Sequence, residues 1–237
     1  MSKRWQLLIT CEHAGNQVPR RFLPWLDART RKALDTHRGF DQGALVLAKN
    51  LALLAVAPLF YSKISRLVVD CNRSRHHPQC IGPCFQKAPK EMQQEILSLY
   101  HQAFREQVLD ANRKILGQDD RLLHLSVHSF TPILNGQTRN ADIGILYDPQ
   151  HGQERAWAIA LKISLAEAFP SFAIRFNYPY LGKSDGHTKA LRRMLGPKHY
   201  AGLELELNQK HVQSPQAFKS LCQKFSLAVL SASHPKL

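Results

Sequence analysis

The pattern of apolar and polar positions divides the chain into short β-type runs separated by longer helical segments. The apolar runs are rich in Leu, Ile and Val and are bounded by Gly, Pro or charged residues, which is typical of buried strands. They predict strands over residues 4–11, 58–61, 66–70, 122–127, 143–147, 172–176 and 202–208. In the last run Leu alternates with Glu, so Glu204 and Glu206 are expected on one face.

Segments with apolar residues at a spacing of three to four predict helices between most of these strands. The helical segments cover residues 41–57, 90–116, 154–169, 188–195 and 215–231. A helix between two strands carries the chain back across the sheet, so the strands that it joins are parallel. The pattern predicts an α/β fold with a mostly parallel, helix-covered sheet. Neither a repeat nor a linker divides residues 1–237, so we expect one domain.

Composition and charge narrow the class of protein. Hydrophobic residues make up 44% and charged residues 21% of the 237 residues, as in proteins with a packed core. The formal net charge of +14 fits an anionic partner, either nucleic acid or a small anionic substrate, but charge alone assigns no function. The basic residues are scattered and are not interleaved with aromatic residues, so a solvated surface is the favoured explanation of the charge and nucleic acid is disfavoured as a partner.

The sequence also bears on compartment. No apolar run approaches the roughly 20 residues of a membrane-spanning helix, and the basic start of the chain lacks a signal-peptide cleavage pattern. Five cysteines, an odd number, fit free thiols better than a disulfide framework. We therefore expect a cytoplasmic protein that does not contact a membrane.

Two histidines stand where predicted strands end, at the edge where parallel sheets bind ligands. His13 follows strand 4–11 and His128 follows strand 122–127. Two imidazoles and one carboxylate make a zinc site that keeps one position open for water. Asp41, at the predicted start of the first helix, and Glu12 are the candidate carboxylates. Glu12 is less favoured, because neighbours on an extended strand face opposite sides.

A simpler interpretation of these residues stays open at this point. Both histidines would then be hydrogen-bonded strand-end residues, and Asp41 would interact with the N-terminus of its own helix.

Glu206 is the candidate general base. A metal ion lowers the pKa of bound water, and a neighbouring carboxylate can accept the proton. From periodicity alone, the alternative is an edge strand whose acidic face is exposed to solvent.

Arg66, Arg73 and Arg139 supply guanidinium groups, which bind carboxylates in a bidentate manner. Arg73 directly follows Asn72 and is the candidate for orienting a substrate carboxylate, whereas Arg66 is expected to be structural. The alternative for Arg73 is a salt bridge to Asp70.

Three further features carry weaker signals. One loop combines histidines and cysteines, but it lacks the second ligand pair of a zinc finger, so a solvated loop is favoured. Its residues are His76, His77, Cys80 and Cys84. No G-x-S-x-G motif surrounds Ser126 or Ser129, which argues against a serine nucleophile. Gly182, Gly186 and His187 are expected in a mobile loop over the crevice.

Four segments together resemble the N-formylglutamate amidohydrolase family. They are ITCEHAGNQVP (9–19), SRLVVDCNR (65–73), VHSFTP (127–132) and GLELELNQ (202–209), in the same order as in the family. The resemblance covers nearly the whole chain, from residue 5 to about residue 210. It implies a fold related to the zinc carboxypeptidases and the aspartoacylase group: a three-layer α/β/α sandwich with a mostly parallel mixed sheet and one catalytic zinc ion.

The resemblance also implies roles for individual residues. In those relatives a glutamate ligand closely follows the first histidine, but here Ala14, Gly15 and Asn16 follow His13. Asp41 is therefore the expected replacement. The pair Asn72 and Arg73 is similar to the Asn-Arg pair with which carboxypeptidases hold a substrate carboxylate, and Glu206 is similar to their general base.

We therefore expect a zinc-dependent hydrolase of a linear amide such as that of N-formyl-L-glutamate. The expected residues are His13, His128 and Asp41 for zinc, Glu206 and Arg73 for catalysis, and Arg73, Asn72, Arg139 and Ser129 for the substrate. One alternative is an amidase for another N-acyl amino acid, a small peptide or a cell-wall fragment. The other is a noncatalytic or nucleic-acid-binding protein on the same scaffold.

Overall fold

The computed structural model describes residues 5–117 and 121–232, in which helices and strands alternate. In chain order they are β1 (Trp5–Cys11), α1 (Ala28–Ala33), α2 (Ala44–Ala55), β2 (Leu59–Tyr61), α3 (Lys90–Ile96), α4 (Ala103–Leu116), β3 (Arg121–Phe130), β4 (Ile133–Leu134), β5 (Gln137–Thr138), β6 (Ile143–Leu146), α5 (Gly152–Ala168), β7 (Ile174–Phe176), α6 (His187–Leu195), β8 (Tyr200–Asn208) and α7 (Pro215–Ala232). A π-helical stretch, Leu97–Gln102, joins α3 to α4. Arg4, where the first predicted strand begins, lies outside the described residues. Within the described ranges, no helix has the length and apolar composition needed to cross a bilayer.

Six strands form one mixed sheet in the order β2-β1-β3-β8-β6-β7. Strands β2, β1, β3 and β8 are parallel, whereas β6 and β7 are parallel to each other and run antiparallel to β8. The short strands β4 and β5 pair separately as an antiparallel hairpin. The predicted mostly parallel sheet is confirmed, and β8 lies inside the sheet.

The two faces of the sheet are covered by different helices, because successive side chains of a strand point to opposite sides. On one face, Leu203, Leu205 and Leu207 of β8 belong to a core that includes residues of α2, α5 and α7. On the other face, Leu8 of β1 and Leu122 of β3 belong to a core that includes residues of α3, α4 and α6. The fold is a three-layer α/β/α sandwich, as the family resemblance implied.

The second face is polar near the carboxyl ends of its central strands. In the pairing of β3 with β8, Ser126 lies opposite Glu204, and His128 lies opposite Glu206. These residues alternate with apolar residues of the first core, so they all point to the α6 side. The sheet thereby brings an imidazole and a carboxylate from distant parts of the sequence together.

The predicted strand over residues 66–70 is wrong. This segment is a turn, in which only Val69 forms an isolated bridge, to Ile81. The position next to β1 is already taken by β2, which pairs with it from Leu59 to Tyr61. The apolar residues 67–69 are buried although they lie in a turn. Their hydrophobicity therefore indicates burial and does not indicate a strand.

Two predicted boundaries near the candidate histidines also differ. The helix expected from Asp41 begins at Ala44, after Gly43 with a φ of 80°, a conformation that favours glycine. Strand β3, expected to end before His128, continues to Phe130 because β8 pairs with it that far. Asp41 thus lies in a turn, and His128 lies in a strand.

Candidate active site

Two histidines and one aspartate converge near the carboxyl ends of β1 and β3. His13 lies in the turn after β1, His128 lies in β3, and Asp41 lies in the turn before α2. Oδ2 of Asp41 is 3.2 Å from Nδ1 of His13 and 2.9 Å from Nδ1 of His128. All three side chains are buried. The N–H of Asp41 donates to the carbonyl of His13 at 3.0 Å, which holds the two turns together.

The donor atoms of this cluster fit a tetrahedral metal ion. The three atoms lie within 4.8 Å of one another. Zinc–ligand distances of about 2.0–2.2 Å and tetrahedral angles place ligand atoms about 3.3–3.6 Å apart, slightly more than the two distances from Asp41 Oδ2. The spacing of the cluster is therefore compatible with a metal ion. Within the described ranges, His13, Asp41 and His128 are the one group of at least three His, Cys, Asp or Glu residues with such geometry.

Each histidine has a polar partner on the side of the ring that faces away from Asp41. Nε2 of His13 is 2.7 Å from Oδ1 of Asp70, and Nε2 of His128 is 2.8 Å from Oγ of Ser126. Metal-binding histidines usually donate their second ring N–H to such a partner, which fixes the orientation of the ring. Both rings are therefore held with Nδ1 directed to the same point.

Glu12 and Arg66 also surround the cluster. Oε2 of Glu12 is 3.5 Å from Nε2 of His128, on the side of the ring away from Asp41, so its carboxylate does not face the cluster. Arg66 donates to Oδ1 of Asp41 at 3.4 Å and to Oδ2 of Asp70 at 3.0 Å. The ion pair of Asp70 is thus with Arg66 and not with Arg73, and the side chain of Asp41 forms no cap on α2.

The electrostatics of the cluster follow from burial and charge. Burial disfavours the charged form of His128, but the hydrogen bond to Asp41 and the charge of Asp41 outweigh it and raise the pKa of His128 to about 10. Burial opposes the ionised form of Asp41, yet the two histidines hold its pKa well below the usual range. The site therefore holds positive charge next to a carboxylate, and a metal ion would replace ring protons there.

Glu206 lies next to this cluster on the same face of the sheet. Strand β8 pairs with β3 on one side and with β6 on the other, which places Glu206 between His128 and Gly144. The alternative of a solvent-exposed edge strand is wrong, because Glu206 is 4% exposed. Burial raises the pKa of Glu206 to about 7. Its Oε2 has no hydrogen-bond partner among the described residues, so a buried carboxylate oxygen is free to accept a proton.

A cleft with a volume of about 380 Å³ opens over the cluster. Every residue that the sequence predicted for the site lines it: His13, Asp41, Asn72, Arg73, His128, Ser129, Arg139 and Glu206. Further lining residues that the sequence did not single out include His37, Tyr180 and Asp185, and Glu204 lines the cleft beside Glu206. The cleft places cationic, anionic and aromatic groups around one space.

Arg73 and Arg139 differ from Arg66 in their contacts. Arg73 donates from Nη1 to the carbonyl of Asp185 at 3.3 Å. Arg139 donates from Nη2 to the hydroxyl of Tyr180 at 3.3 Å and lies over the Tyr180 ring. Neither forms an ion pair with a carboxylate within the described ranges, so both guanidinium groups can bind an anion in the cleft.

Asn72 and Ser129 are partly used by the protein itself. Oδ1 of Asn72 accepts from the N–H of His187 at 2.7 Å, which leaves its amide NH₂ group for other partners. Oγ of Ser129 donates to the carbonyl of Gln42 at 2.7 Å and accepts from Nε2 of Gln209 at 3.0 Å. The one proton of Ser129 is therefore already donated within the protein.

The loop with His76, His77, Cys80 and Cys84 does not gather into a metal site within the described residues. Cys80 is buried, and Cys84 donates from Sγ to Oγ1 of Thr30 at 3.2 Å.

Sequence reasoning missed the partners of the two histidines, Asp70 and Ser126. Asp70 lies in a segment that the sequence did single out, but only as a partner for Arg73. Ser126 shares a face of β3 with His128 by period two, which is a signal that was available. The contact between Asp70 and His13, separated by 57 positions, left no local signal.

The mixed α/β sheet gathers a His–Asp–His cluster, the buried carboxylate of Glu206 and two guanidinium groups that have no carboxylate partner among the described residues. Such a set of groups in one cleft suits hydrolytic chemistry. A comparison of the chain with models of protein families shows the family to which it belongs. The chain belongs to the N-formylglutamate amidohydrolase family, whose model matches residues 5–212, and it is an amidohydrolase.

Two solved structures share this fold. The gene product Atu2144 from Agrobacterium tumefaciens is 25% identical and has a TM-score of 0.82, with 98% of this chain and 91% of that chain covered. N-formylglutamate amidohydrolase from Ralstonia eutropha JMP134 is 16% identical and has a TM-score of 0.71, with 98% and 94% covered. Among curated proteins, no sequence matches this chain.

Proposed function

We propose that this protein hydrolyses the amide bond of an N-acylated acidic amino acid, with N-formyl-L-glutamate and water giving formate and L-glutamate. In this proposal one zinc ion binds to His13, Asp41 and His128. The observation that carries it is the convergence of two Nδ1 atoms and Oδ2 of Asp41 beside the free carboxylate of Glu206. Membership of the amidohydrolase family supports the same reaction class.

The chemistry that a bound zinc ion supplies in such a site is polarisation of a carbonyl oxygen and a lower pKa for water. Glu206 accepts a proton from the attacking water. The same carboxyl group then donates that proton to the nitrogen of the leaving amine, so that the C–N bond breaks and a free amino group forms. Because Glu206 is buried and has a pKa raised to about 7, it can carry the proton in either direction near neutral pH.

The arginines provide selectivity for an anionic substrate. Arg73, with the amide NH₂ group of Asn72, binds the carboxylate next to the scissile amide. Arg139, held over the ring of Tyr180 at 5.3 Å, binds the second carboxylate of a glutamate-like side chain. Two guanidinium groups without carboxylate partners in the described chain therefore match a substrate with two carboxylates.

The experiment that tests this proposal combines metal analysis with a formate-release assay. Protein purified without chelators is expected to contain about one zinc ion per chain and to release formate from N-formyl-L-glutamate. N-formyl-L-glutamine and N-acetyl-L-glutamate are compared at the same concentrations. Zinc binding with turnover of only another N-acyl compound would change the substrate. No zinc binding and no turnover, together with salt-dependent binding to DNA or RNA, would replace the proposal by a nucleic-acid-binding function.

A further inference from the structure

A second polar network lies below the metal-binding cluster and centres on Glu12. This residue is 1% exposed. Its Oε2 accepts a hydrogen bond from Oγ of Ser126 at 2.6 Å. Its Oε1 accepts from Oγ1 of Thr10 at 2.7 Å and lies 3.0 Å from Nδ1 of His187. None of these four residues lines the cleft, so the network does not bind the substrate directly.

Ser126 links Glu12 to His128 by two hydrogen bonds. The number of protons on the serine hydroxyl fixes the direction of both. A serine hydroxyl has one proton, and Ser126 donates it to Glu12. Nε2 of His128, 2.8 Å from the same serine oxygen, must therefore be the donor in that contact. When Nε2 carries the proton of a neutral ring, Nδ1 presents its lone pair toward Asp41.

The two histidines of the cluster thus differ in how they are oriented. His13 contacts the carboxylate of Asp70 directly at 2.7 Å. His128 reaches a carboxylate only through Ser126, because Oε2 of Glu12 is 3.5 Å from its Nε2. Without the serine hydroxyl, Nε2 of His128 would lack a short hydrogen bond on that side of the ring.

We propose that Ser126 and Glu12 form a hydrogen-bond relay that positions His128 for metal binding. Glu12 is in this account a positioning residue that acts through Ser126, and neither residue touches substrate. Thr10 and His187 hold the other oxygen of Glu12, so the carboxylate stays aimed at Ser126. The proposal rests on the proposed metal site of His13, Asp41 and His128.

The test compares Ser126→Ala, Glu12→Gln and the double variant with the parent protein. Zinc affinity is measured by competition with a chromophoric chelator. We expect each single substitution to weaken zinc binding about 10- to 100-fold, the usual effect of removing a partner of a metal ligand. Because Glu12 acts on His128 only through Ser126, the two effects should not add. We expect the zinc affinity of the double variant to be little lower than that of the single variant that binds zinc more weakly.

A second measurement reports on the ring itself. In protein with ¹⁵N-labelled histidine, the buried Nε2–H of His128 gives a ¹H–¹⁵N signal that is protected from exchange with water. We expect Ser126→Ala to shift this signal and speed its exchange, with or without zinc. The matched control is Ser226→Ala, because Ser226 is also fully buried and donates to the carbonyl of Cys222 at 2.8 Å, on α7. It should leave zinc affinity and the ring signal unchanged.

The outcomes separate the relay from the metal site. Unchanged affinity and an unchanged ring signal in Ser126→Ala would overturn the relay, even if Glu12→Gln fails to fold. Weaker binding with an unchanged ring signal, or additive losses in the double variant, would also overturn it by indicating a general structural effect. A parent protein that binds no zinc would refute the proposed function, while the ring signal would still decide whether Ser126 holds His128.

Discussion

Replacing Arg139 by glutamine separates the recognition of the second substrate carboxylate from the rest of the reaction. Arg139 is half-buried, donates to the hydroxyl of Tyr180 and lies 5.9 Å from the ring centre of Phe130. Glutamine keeps a polar side chain in the cleft but removes the charge and the two parallel N–H donors. Because Arg139 does not contact the His–Asp–His cluster, we expect Arg139→Gln to keep its zinc.

The magnitude follows from the contact that is lost. A hydrogen bond to a charged group contributes about 1.5–3 kcal/mol, and about 1.4 kcal/mol corresponds to a factor of ten in rate. The value of kcat/KM for N-formyl-L-glutamate should therefore fall about 10- to 150-fold. Since the guanidinium of Arg139 is only half-buried, solvent screening favours the lower part of this range. N-formyl-L-glutamine, which lacks the second carboxylate, should be almost unaffected.

The assay measures formate release for both substrates with the parent, Arg139→Gln and a control arginine variant. Arg121→Gln is the matched control, because Arg121 also lies over an aromatic ring, that of Trp5, but at the opposite end of β3. It should change neither substrate. Equal losses for the two substrates in Arg139→Gln would refute the assignment, because a contact to the side-chain carboxylate cannot affect a substrate that lacks it.

Three further predictions concern proton transfer, metal binding and stability. Glu206→Gln should keep zinc and lower kcat about 10²- to 10⁴-fold, because it removes the proton acceptor; an active variant would exclude Glu206 from the mechanism. Zinc at about 1,000 times its dissociation constant should stabilise the fold by about 4 kcal/mol, so a chelator should lower Tm by about 8–16 °C in thermal unfolding; His13→Ala should abolish this difference. Nε of Arg192 donates to the buried carboxylate of Glu154 at 2.6 Å. Arg192→Met leaves this carboxylate without its cation and should lower the free energy of unfolding, measured in urea, by about 3–5 kcal/mol. A double variant with Glu154→Leu should recover part of this loss.

Several features of the fold and the site could be predicted from local patterns. The Leu and Glu alternation of β8 predicted that Glu204 and Glu206 share a face, and the pairing with β3 shows this arrangement. The helices between strands predicted parallel connections, and four strands are parallel. Such predictions succeed because the period of a strand or helix is set by neighbouring residues.

Other features were set by contacts between distant segments. Residues 66–70 have the composition of a strand, yet β2 occupies the place beside β1 and the segment forms a turn. Asp41 was expected to open a helix, but a hydrogen bond to the carbonyl of His13 holds it in the preceding turn. In this turn the carboxylate of Asp41 contacts both histidines. A position at the N-terminus of a helix would not by itself have predicted these contacts.

The sequence by itself determined the α/β class, the apolar faces of the strands and the candidate residues His13, His128 and Glu206, because these depend on local period and on residue chemistry. Only the tertiary structure decided that β8 lies inside the sheet, that Asp41 and not Glu12 faces both Nδ1 atoms, and that Asp70 contacts the ring of His13. These features depend on strand order and on contacts between residues up to 87 positions apart. Such contacts form when the whole sheet is assembled, so local sequence cannot specify them.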